Sequence, residues 1–316
     1  VRRNPTVNSA WTDTEIIVHL LAKPSHVAKA DPLTHVLRHL QGAFSLVFLF
    51  PDRIEACRDP WGVRPLALGK TADGLFCVAS ETCAFDAIDA TFIREIEPGE
   101  IVRIDNNGLH SRRFADPAPE RAHCVFEHVY FSNPATRIFG QSVHMVREQM
   151  GRVLAKEAPI DADFVMPMPD SGRSAALGFA KESKITFEEG IVPNRFVGRT
   201  FILPGQAQRD RAVAMKLNII PDVVRDQRIV IVEDSVVRGT TTQSKMRAIR
   251  RAGAKEIHLR VSCPPIRNPC FYGIDFPTSE ELIAHNRTVE EIRAFLEVDS
   301  LAYLSLDGRI WCMSME

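Results

Sequence analysis

The 316-residue sequence has few cysteines, no long apolar run and no surplus of either charge. No stretch approaches the roughly 20 uninterrupted apolar residues of a membrane-spanning helix, and the first residues do not have the basic-then-apolar pattern of a signal peptide. With 39 Lys and Arg against 40 Asp and Glu, the chain also lacks the basic excess typical of nucleic-acid or anionic-membrane partners. We therefore expect a cytoplasmic protein with no membrane or nucleic-acid partner, whose anion sites are local.

The seven cysteines are odd in number and irregularly spaced, which argues against a disulfide framework. Cys57 lies in a strand-like segment and is interpreted as a core thiol. Hydrophobic residues make up 45% and charged residues 25% of the sequence, values typical of folded globular proteins rather than disordered ones. The length suggests about two domains.

The first part of the chain is rich in short strand patterns separated by turn residues. One helical pattern begins after Thr12. A second runs from Leu33 to Leu40. The expected strands are 44–50, 53–59, 65–70 and 74–80. The Pro-rich segment 115–120 has no periodicity and predicts a linker, so we expect one domain over residues 1–118 and a second over 119–316.

Strands alternate with helices in the second domain, which predicts an α/β fold with a doubly wound parallel sheet and ligand sites at the carboxyl ends of its strands. One stretch, residues 229–242, combines four β-branched apolar residues, the acids Glu233 and Asp234, and a Gly/Thr-rich loop before a helix. Unpaired amides at a helix amino terminus attract phosphate. Adjacent carboxylates can bind vicinal hydroxyls or hydrated Mg²⁺. Together they predict a sugar-phosphate site.

Either feature alone has an ordinary structural explanation, because acidic pairs often form solvated turns and Thr runs often cap helices. The combination resembles the phosphoribosyl pyrophosphate (PRPP) loop of type I phosphoribosyltransferases. Flanking strings point further: EDSVVRGTTT, NRFVGRTFI (194–202), CVFEHVYFSNP (124–134) and PCFYGIDFPTSEELIAHNRTVEEIR (269–293) are similar to the glutamine PRPP amidotransferase family, also called amidophosphoribosyltransferases. TDTEIIVHL, LQGAFSLVFLF and RDPWGVRPLALGK resemble its glutaminase domain, so the resemblance covers the chain to about Gly308.

The resemblance implies the carboxyl-terminal part of a class II glutamine amidotransferase domain, of the αββα N-terminal-nucleophile type, followed by a type I phosphoribosyltransferase domain. It implies a sequence truncated at both ends. The PRPP-binding residues implied by the family pattern are Asp170, Ser171, Gly172, Glu233, Asp234, Ser235, Val236, Val237, Arg238, Gly239, Thr240, Thr241 and Thr242. Mg²⁺ would be held through Ser171, Glu233 and Asp234; the family usually has Asp in place of Glu233.

A flexible catalytic loop of the family matches residues 194–200, where Arg195 and Arg199 are suited to neutralise the leaving pyrophosphate. Lys216 matches a family Lys just after this loop. Pro193 and Phe196 depart from the usual Lys and Tyr. These residues would assist displacement of pyrophosphate from ribose C1 by ammonia, which gives 5-phosphoribosylamine, the first committed step of purine synthesis.

Glutamine normally supplies the ammonia in this family, through a Cys at the mature amino terminus. That Cys and its oxyanion site have no match in the sequence, whereas Asp13 matches an Asp that binds the glutamine α-amino group or acts as a helix cap. We therefore expect the chain to use ammonia and not glutamine. Two open alternatives are a non-catalytic PRPP- or nucleotide-binding regulatory homologue and a nucleobase phosphoribosyltransferase, although the latter lacks glutaminase segments.

Many members of the family carry a [4Fe–4S] cluster with four Cys ligands. Cys124 and Cys270 match two of these ligands, while Cys312 does not reproduce the motif of the other two. Since two thiolates cannot complete such a cluster, the resemblance implies it only for a longer parent protein. The family also implies purine nucleotides as inhibitors and a homo-oligomer, a dimer or tetramer.

Overall fold

The structure is a computed structural model that describes residues 13–194, 217–276 and 278–314. These residues form two compact units. The first extends to Cys124 and includes Arg137–Phe139; the second comprises Val125–Thr136 and the chain from Gly140 onward. The predicted domain boundary after residue 118 stays a prediction. None of the described helices is long and apolar enough to cross a membrane.

The first unit is built mainly from antiparallel strands. Its helices are α1 (Asp13–Leu21), α2 (Pro24–Val27), α3 (Pro32–Leu37) and α4 (Cys83–Asp86). Its strands are β1 (Ser45–Leu49), β2 (Arg53–Arg58), β3 (Ala67–Thr71), β4 (Phe76–Ala79), β5 (Ala90–Glu95), β6 (Glu100–Asp105) and β7 (Gly108–Arg113), with the short β8 (Arg137–Ile138). The helical and strand patterns predicted before residue 80 are confirmed to within a few residues at each end.

Two sheets of the first unit pack face to face, in the orders β1-β2-β6-β7 and β4-β3-β5. Because side chains alternate along a strand, Ala56 faces the core between the sheets while Cys57 faces the helices α1 and α3. Phe85 of α4 packs on Gly69 of the second sheet. The layers therefore follow the predicted αββα order, and Cys57 is confirmed as a core thiol.

The second unit alternates strands with helices. Its helices are α5 (Val143–Glu157), α6 (Arg173–Ser183), α7 (Pro221–Val224), α8 (Thr240–Arg251), α9 (Val289–Leu296) and α10 (Leu306–Met313), with a π-helical turn at Glu127–Phe131 and a 3₁₀ turn at Ser279–Glu281. Its strands are β9 (Gln141–Ser142), β10 (Phe164–Pro167), β11 (Ile191–Pro193), β12 (Leu217–Ile219), β13 (Arg228–Glu233), β14 (Glu256–Val261) and β15 (Ser300–Tyr303).

The main sheet of the second unit is parallel, in the order β10-β13-β14-β15. Strand β13 is central and buried on both faces: Ile229 and Ile231 belong to one core with α8 and α9, whereas Val230 and Val232 belong to the other with α5 and α6. This is why the strand is a continuous apolar run rather than an alternating one. The predicted doubly wound parallel sheet is confirmed.

Helices α5 and α6 approach each other closely through glycine. A Cβ added at Gly151 would overlap the carbonyl oxygen of Ala175, and one added at Gly178 would overlap that of Glu148. Helix α6 starts in the loop that leaves β10, so this contact helps to fix where that loop begins.

We predict that Gly178→Ala lowers the free energy of unfolding by roughly 2 kcal/mol, because the new methyl group must push two helix backbones apart. The sign of this change in unfolding free energy is informative. Without the close helix contact, Ala in place of Gly would stabilise the helix by about 1 kcal/mol. Urea unfolding followed by circular dichroism measures the change. Met145→Ala, on the exposed side of α5, is the control and should stay within about 0.5 kcal/mol; a Gly178→Ala chain as stable as the parent would contradict the packing.

Candidate functional site

The carboxyl ends of β10 and β13 lie side by side. Pro167 pairs with Val232 in the parallel register, and the Met168 amide donates a hydrogen bond to the Val232 carbonyl oxygen at 2.8 Å. Beyond the strands, the Ser171 hydroxyl donates to the Asp234 carboxylate. The structure thus brings together two segments that are far apart in sequence, the loop at 170–172 and the acid at 234.

Gly172 sits where the first loop passes against the sheet. Its amide donates to the Met168 carbonyl oxygen at 3.1 Å. A Cβ at this position would lie 2.8 Å from the Met168 oxygen and would overlap the Val232 carbonyl oxygen as well. Only glycine allows this approach, which keeps Ser171 within reach of Asp234.

The adjacent acids differ in environment. Glu233 is 6% exposed, and its Oε1 lies 3.3 Å from Lys245 Nζ on α8, whereas its Oε2 has no hydrogen-bond partner among the described residues. Burial raises the pKa of Glu233 to about 7, although the Lys245 charge opposes that shift. Glu233 therefore changes its charge near neutral pH.

Asp234 is held by hydroxyl groups instead of a charged partner. One carboxylate oxygen accepts from Ser171 and the other accepts from Ser235. Hydroxyls can turn toward a cation or a substrate while the carboxylate stays in place. Asp234 is the better suited of the two acids to bind a ligand hydroxyl or a metal ion.

The loop between β13 and α8 is fixed to its surroundings. Val236 is buried, and the Val237 carbonyl oxygen accepts from the Ile283 amide at 2.9 Å. Gly239 adopts φ +78°, a backbone conformation that favours glycine, and a Cβ there would also displace the end of the Ile283 side chain. Arg238 forms an ion pair with Glu281.

Helix α8 begins at Thr240, directly after that loop. Thr240 and Thr241 are exposed, whereas Thr242 is buried. The first amides of a helix have no partner within the helix, and the helix dipole favours an anion at this end. The start of α8, beside a carboxylate at adjacent strand ends of a parallel sheet, is therefore an arrangement suited to a phosphate.

The donor set fits Mg²⁺ shared with a substrate better than a metal enclosed by protein. The described residues contain no group of three or more His, Cys, Asp or Glu that could hold a metal ion. Mg²⁺ is often bound through only one or two carboxylates, with substrate phosphates and water completing its shell. Asp234 meets that requirement.

Four predicted residues remain without a described side chain. Arg195, Arg199 and Lys216 lie outside the described residues. Asp13 begins α1, but its side chain is likewise outside the described part. Their roles stay predictions.

The predicted roles of Cys124 and Cys270 as iron–sulfur ligands stay predictions. Cys124 belongs to the first unit and Cys270 to the second. A [4Fe–4S] cluster needs four ligands, and no set of three or more candidate ligands is found among the described residues.

Lys245 is the residue of this site that sequence patterns did not identify. It lies three residues after Thr242 and four after Thr241 on α8, and residues at these spacings share one face of a helix. This helical spacing is the sequence pattern that could have indicated Lys245 as a residue of the site. Its pairing with Glu233 depends on how α8 packs on the sheet.

The second unit combines a parallel sheet, a glycine-containing loop, a strand-end acid and a helix amino terminus, an arrangement found in type I phosphoribosyltransferase domains. The first part of the chain, residues 4–87, matches a family model described as a glutamine amidotransferase domain. The glutamine amidotransferase match and the phosphoribosyltransferase arrangement thus lie in different parts of the chain.

Known proteins cover both parts together. The chain is 45% identical over 304 residues to the chloroplastic amidophosphoribosyltransferase of Glycine max, covering 96% of this chain and 53% of that protein. It is 45% identical over 315 residues to the amidophosphoribosyltransferase of Methanocaldococcus jannaschii, covering 95% and 67%. A solved glutamine PRPP amidotransferase from B. subtilis, complexed with ADP and GMP, matches with TM-score 0.88 and 42% identity over 98% of this chain and 68% of that one.

The chain belongs to the amidophosphoribosyltransferase family. It spans between about half and two thirds of the length of these relatives.

We predict that Lys245→Met lowers the free energy of unfolding, by roughly 2 kcal/mol at pH 8 and by less at pH 5.5, in EDTA buffer. The folded-state pKa of Glu233 lies above its ordinary value of 4.5. The folded chain therefore binds more protons than the unfolded chain between these two values, and the unfolding free energy falls as pH rises through that interval. Removing Lys245 raises the folded-state pKa further and extends the fall to higher pH.

Urea unfolding at the two pH values measures this effect. The control is the double variant Lys245→Met with Glu233→Gln, in which the extra pH dependence should disappear. An equal loss at both pH values would contradict the charge pairing.

Proposed function

We propose that the chain is the PRPP-binding part of an amidophosphoribosyltransferase, which displaces pyrophosphate from C1 of PRPP with ammonia to form 5-phosphoribosylamine. The observation that carries the proposal is the hydrogen bond from Ser171 to Asp234 beside the amino end of α8. The Asp234 carboxylate, the loop that carries the Ser171 hydroxyl, and the first amides of α8 therefore lie at the same edge of the sheet. Family membership supports the same reaction for the whole protein.

The loop and the first turn of α8 would bind the 5′-phosphate through the backbone amides and the Thr240 and Thr241 hydroxyls. Asp234 would accept hydrogen bonds from the ribose hydroxyls, with Glu233 beside it. The loop of Asp170, Ser171 and Gly172 would face the pyrophosphate. Each contact orients C1 toward the incoming ammonia, and orientation is a large part of catalysis.

Mg²⁺ would be held by Asp234 with the hydroxyl of Ser171, and Glu233 as the second acid; when bound, the ion neutralises charge on the pyrophosphate. Arg195, Arg199 and Lys216 would add positive charge at the leaving group, as the family resemblance implies. No protein nucleophile is needed.

Ammonia is the proposed donor for this chain. The first cysteine of the sequence, Cys57, is buried, and burial raises the pKa of its thiol to about 12. A thiol in that state is a poor nucleophile. Asp13 would bind glutamine only in a protein that carries the rest of the glutaminase site.

Other properties come from the family alone. The B. subtilis relative was solved with ADP and GMP, and we propose purine nucleotides as inhibitors here. A homo-oligomer, a cytoplasmic location, and cluster ligation by Cys124 and Cys270 remain predictions.

The reaction is tested by mixing the 316-residue chain with PRPP, Mg²⁺ and ammonium at alkaline pH and measuring pyrophosphate. We predict pyrophosphate release with ammonium, and none above background when glutamine replaces it. EDTA should abolish release. A folded chain that binds PRPP but releases no pyrophosphate would instead support a non-catalytic regulatory role.

We predict that Asp234→Asn lowers kcat/KM for PRPP roughly 100-fold, because the neutral amide loses the electrostatic interaction with the metal and the ribose. Asp161→Asn is the matched control. Asp161 lies on the surface of the same unit, paired with Arg228, and its change should leave kcat/KM within about twofold. Equal activity of the two variants would exclude the proposed role of Asp234.

A further inference from the structure

Three histidine rings meet in the first unit, where helices α1, α2 and α3 contact one another. The ring centroids of His35 and His39 are 4.8 Å apart, and the ring of His26 lies 5.0 Å from His35 and 6.1 Å from His39. We call these three residues the histidine cluster. The cluster belongs to the first unit, whereas the proposed PRPP loops belong to the second, and the proposed reaction uses none of its residues.

Backbone carbonyl groups fix the tautomers of two of these rings. His26 Nδ1 lies 2.9 Å from the Leu20 carbonyl oxygen, and His39 Nδ1 lies 2.7 Å from the His35 carbonyl oxygen. A carbonyl oxygen can only accept, so each Nδ1 carries the proton and donates it. The Nε2 atom of each neutral ring therefore keeps its lone pair. Histidines that bind metal ions are commonly held by such a contact at the other nitrogen.

The cluster is open to water and has no acidic partner. His39 is exposed and His35 is half-buried, so small ions in solution can reach this pair of rings. Among the described residues, no carboxylate lies within ion-pair distance of the cluster, whereas His19 and His110 each lie near one. Neutral imidazole is a preferred ligand of Zn²⁺, Cu²⁺ and Ni²⁺. The ring nitrogens of the cluster are thus available to an ion of this class.

His35 and His39 are the pair best placed to share an ion. His35 lies in the last turn of α3, and that turn continues because the His39 amide donates to the Val36 carbonyl oxygen at 2.9 Å. Side chains four residues apart on a helical turn lie on one face. Two imidazoles bound to one ion at about 2.1 Å per nitrogen have ring centroids roughly 4.5–5.5 Å apart. The 4.8 Å separation of this pair agrees with that range.

The third ring is not counted as a ligand. The described part of the chain has no group of three or more His, Cys, Asp or Glu placed to hold one ion. The Nδ1 contact of His26 with the end of α1 instead satisfies a helix carbonyl group. The positive charges of Lys29 and Arg38 lie within electrostatic reach of His35 and limit the affinity for a cation.

We propose that His35 and His39 together bind one divalent transition-metal ion through one ring nitrogen each, with water completing its coordination shell. His39 would bind through Nε2, because its Nδ1 is engaged by the backbone. Mg²⁺ would not compete, since it prefers oxygen ligands. The site does not depend on the proposed reaction.

Isothermal titration calorimetry of the untagged chain with NiCl₂, in buffer that contains excess Mg²⁺, tests the proposal. We expect a Ni²⁺ site that His35→Gln and His39→Gln each weaken about tenfold or more, because each change removes one of two protein ligands. Ni²⁺ should also raise the Tm of the parent and raise it less in these variants, since a bound ligand stabilises the folded state. Circular dichroism checks that each variant is folded.

His19→Gln and His110→Gln are the matched controls. Each removes a histidine of the first unit that lies near a single carboxylate, Glu15 or Asp105. Both should leave the Ni²⁺ affinity unchanged. The proposal is overturned if the parent binds no Ni²⁺, if His35→Gln and His39→Gln bind it like the parent, or if a control variant weakens binding as much as they do.

Discussion

The parallel register between β10 and β13 is the constraint on which the candidate site depends. It pairs Pro167 with Val232, so the two loops leave the sheet at the same level and Ser171 reaches Asp234. A shift of one residue would exchange the two faces of β13. Such a shift would put Ile229 and Ile231 into the core shaped for Val230 and Val232, and would move Glu233 away from Lys245, so packing in the two cores holds the register and, through it, the site.

The acid pair shows how one sheet edge gives neighbouring carboxylates different chemistry. Glu233 is the last residue of β13, on the side of α8, where Lys245 supplies the compensating charge. Asp234 lies one residue further, where hydroxyls surround it. A buried ion pair is weak evidence for stability. We interpret Lys245 as the residue that positions Glu233 beside Asp234, the proposed ligand-binding acid.

Much of this architecture could be predicted because its causes are local in sequence. The apolar run at 229–232 predicted a buried strand, and the Gly/Thr-rich segment after it predicted the start of α8. The rest depends on contacts between distant segments. Sequence patterns did not identify β15 or α10, and nothing local indicates that Gly151 and Gly178 allow two helices to touch.

The candidate site likewise has features that the sequence predicts and features that depend on contacts between distant segments. Family motifs pointed to Ser171 and Asp234, but their hydrogen bond is a property of the folded sheet. The environment of Glu233 could not be deduced from its neighbours in the sequence, since Lys245 approaches it only when α8 packs on β13.

The central claim is that the loops after β10 and β13 form one Mg²⁺-dependent PRPP site. Calorimetric titration of the folded 316-residue chain with PRPP tests it most directly. The account predicts binding of one PRPP per chain, with an affinity that falls when EDTA replaces Mg²⁺. A folded chain that binds no PRPP, or binds it equally well in EDTA, would contradict the claim.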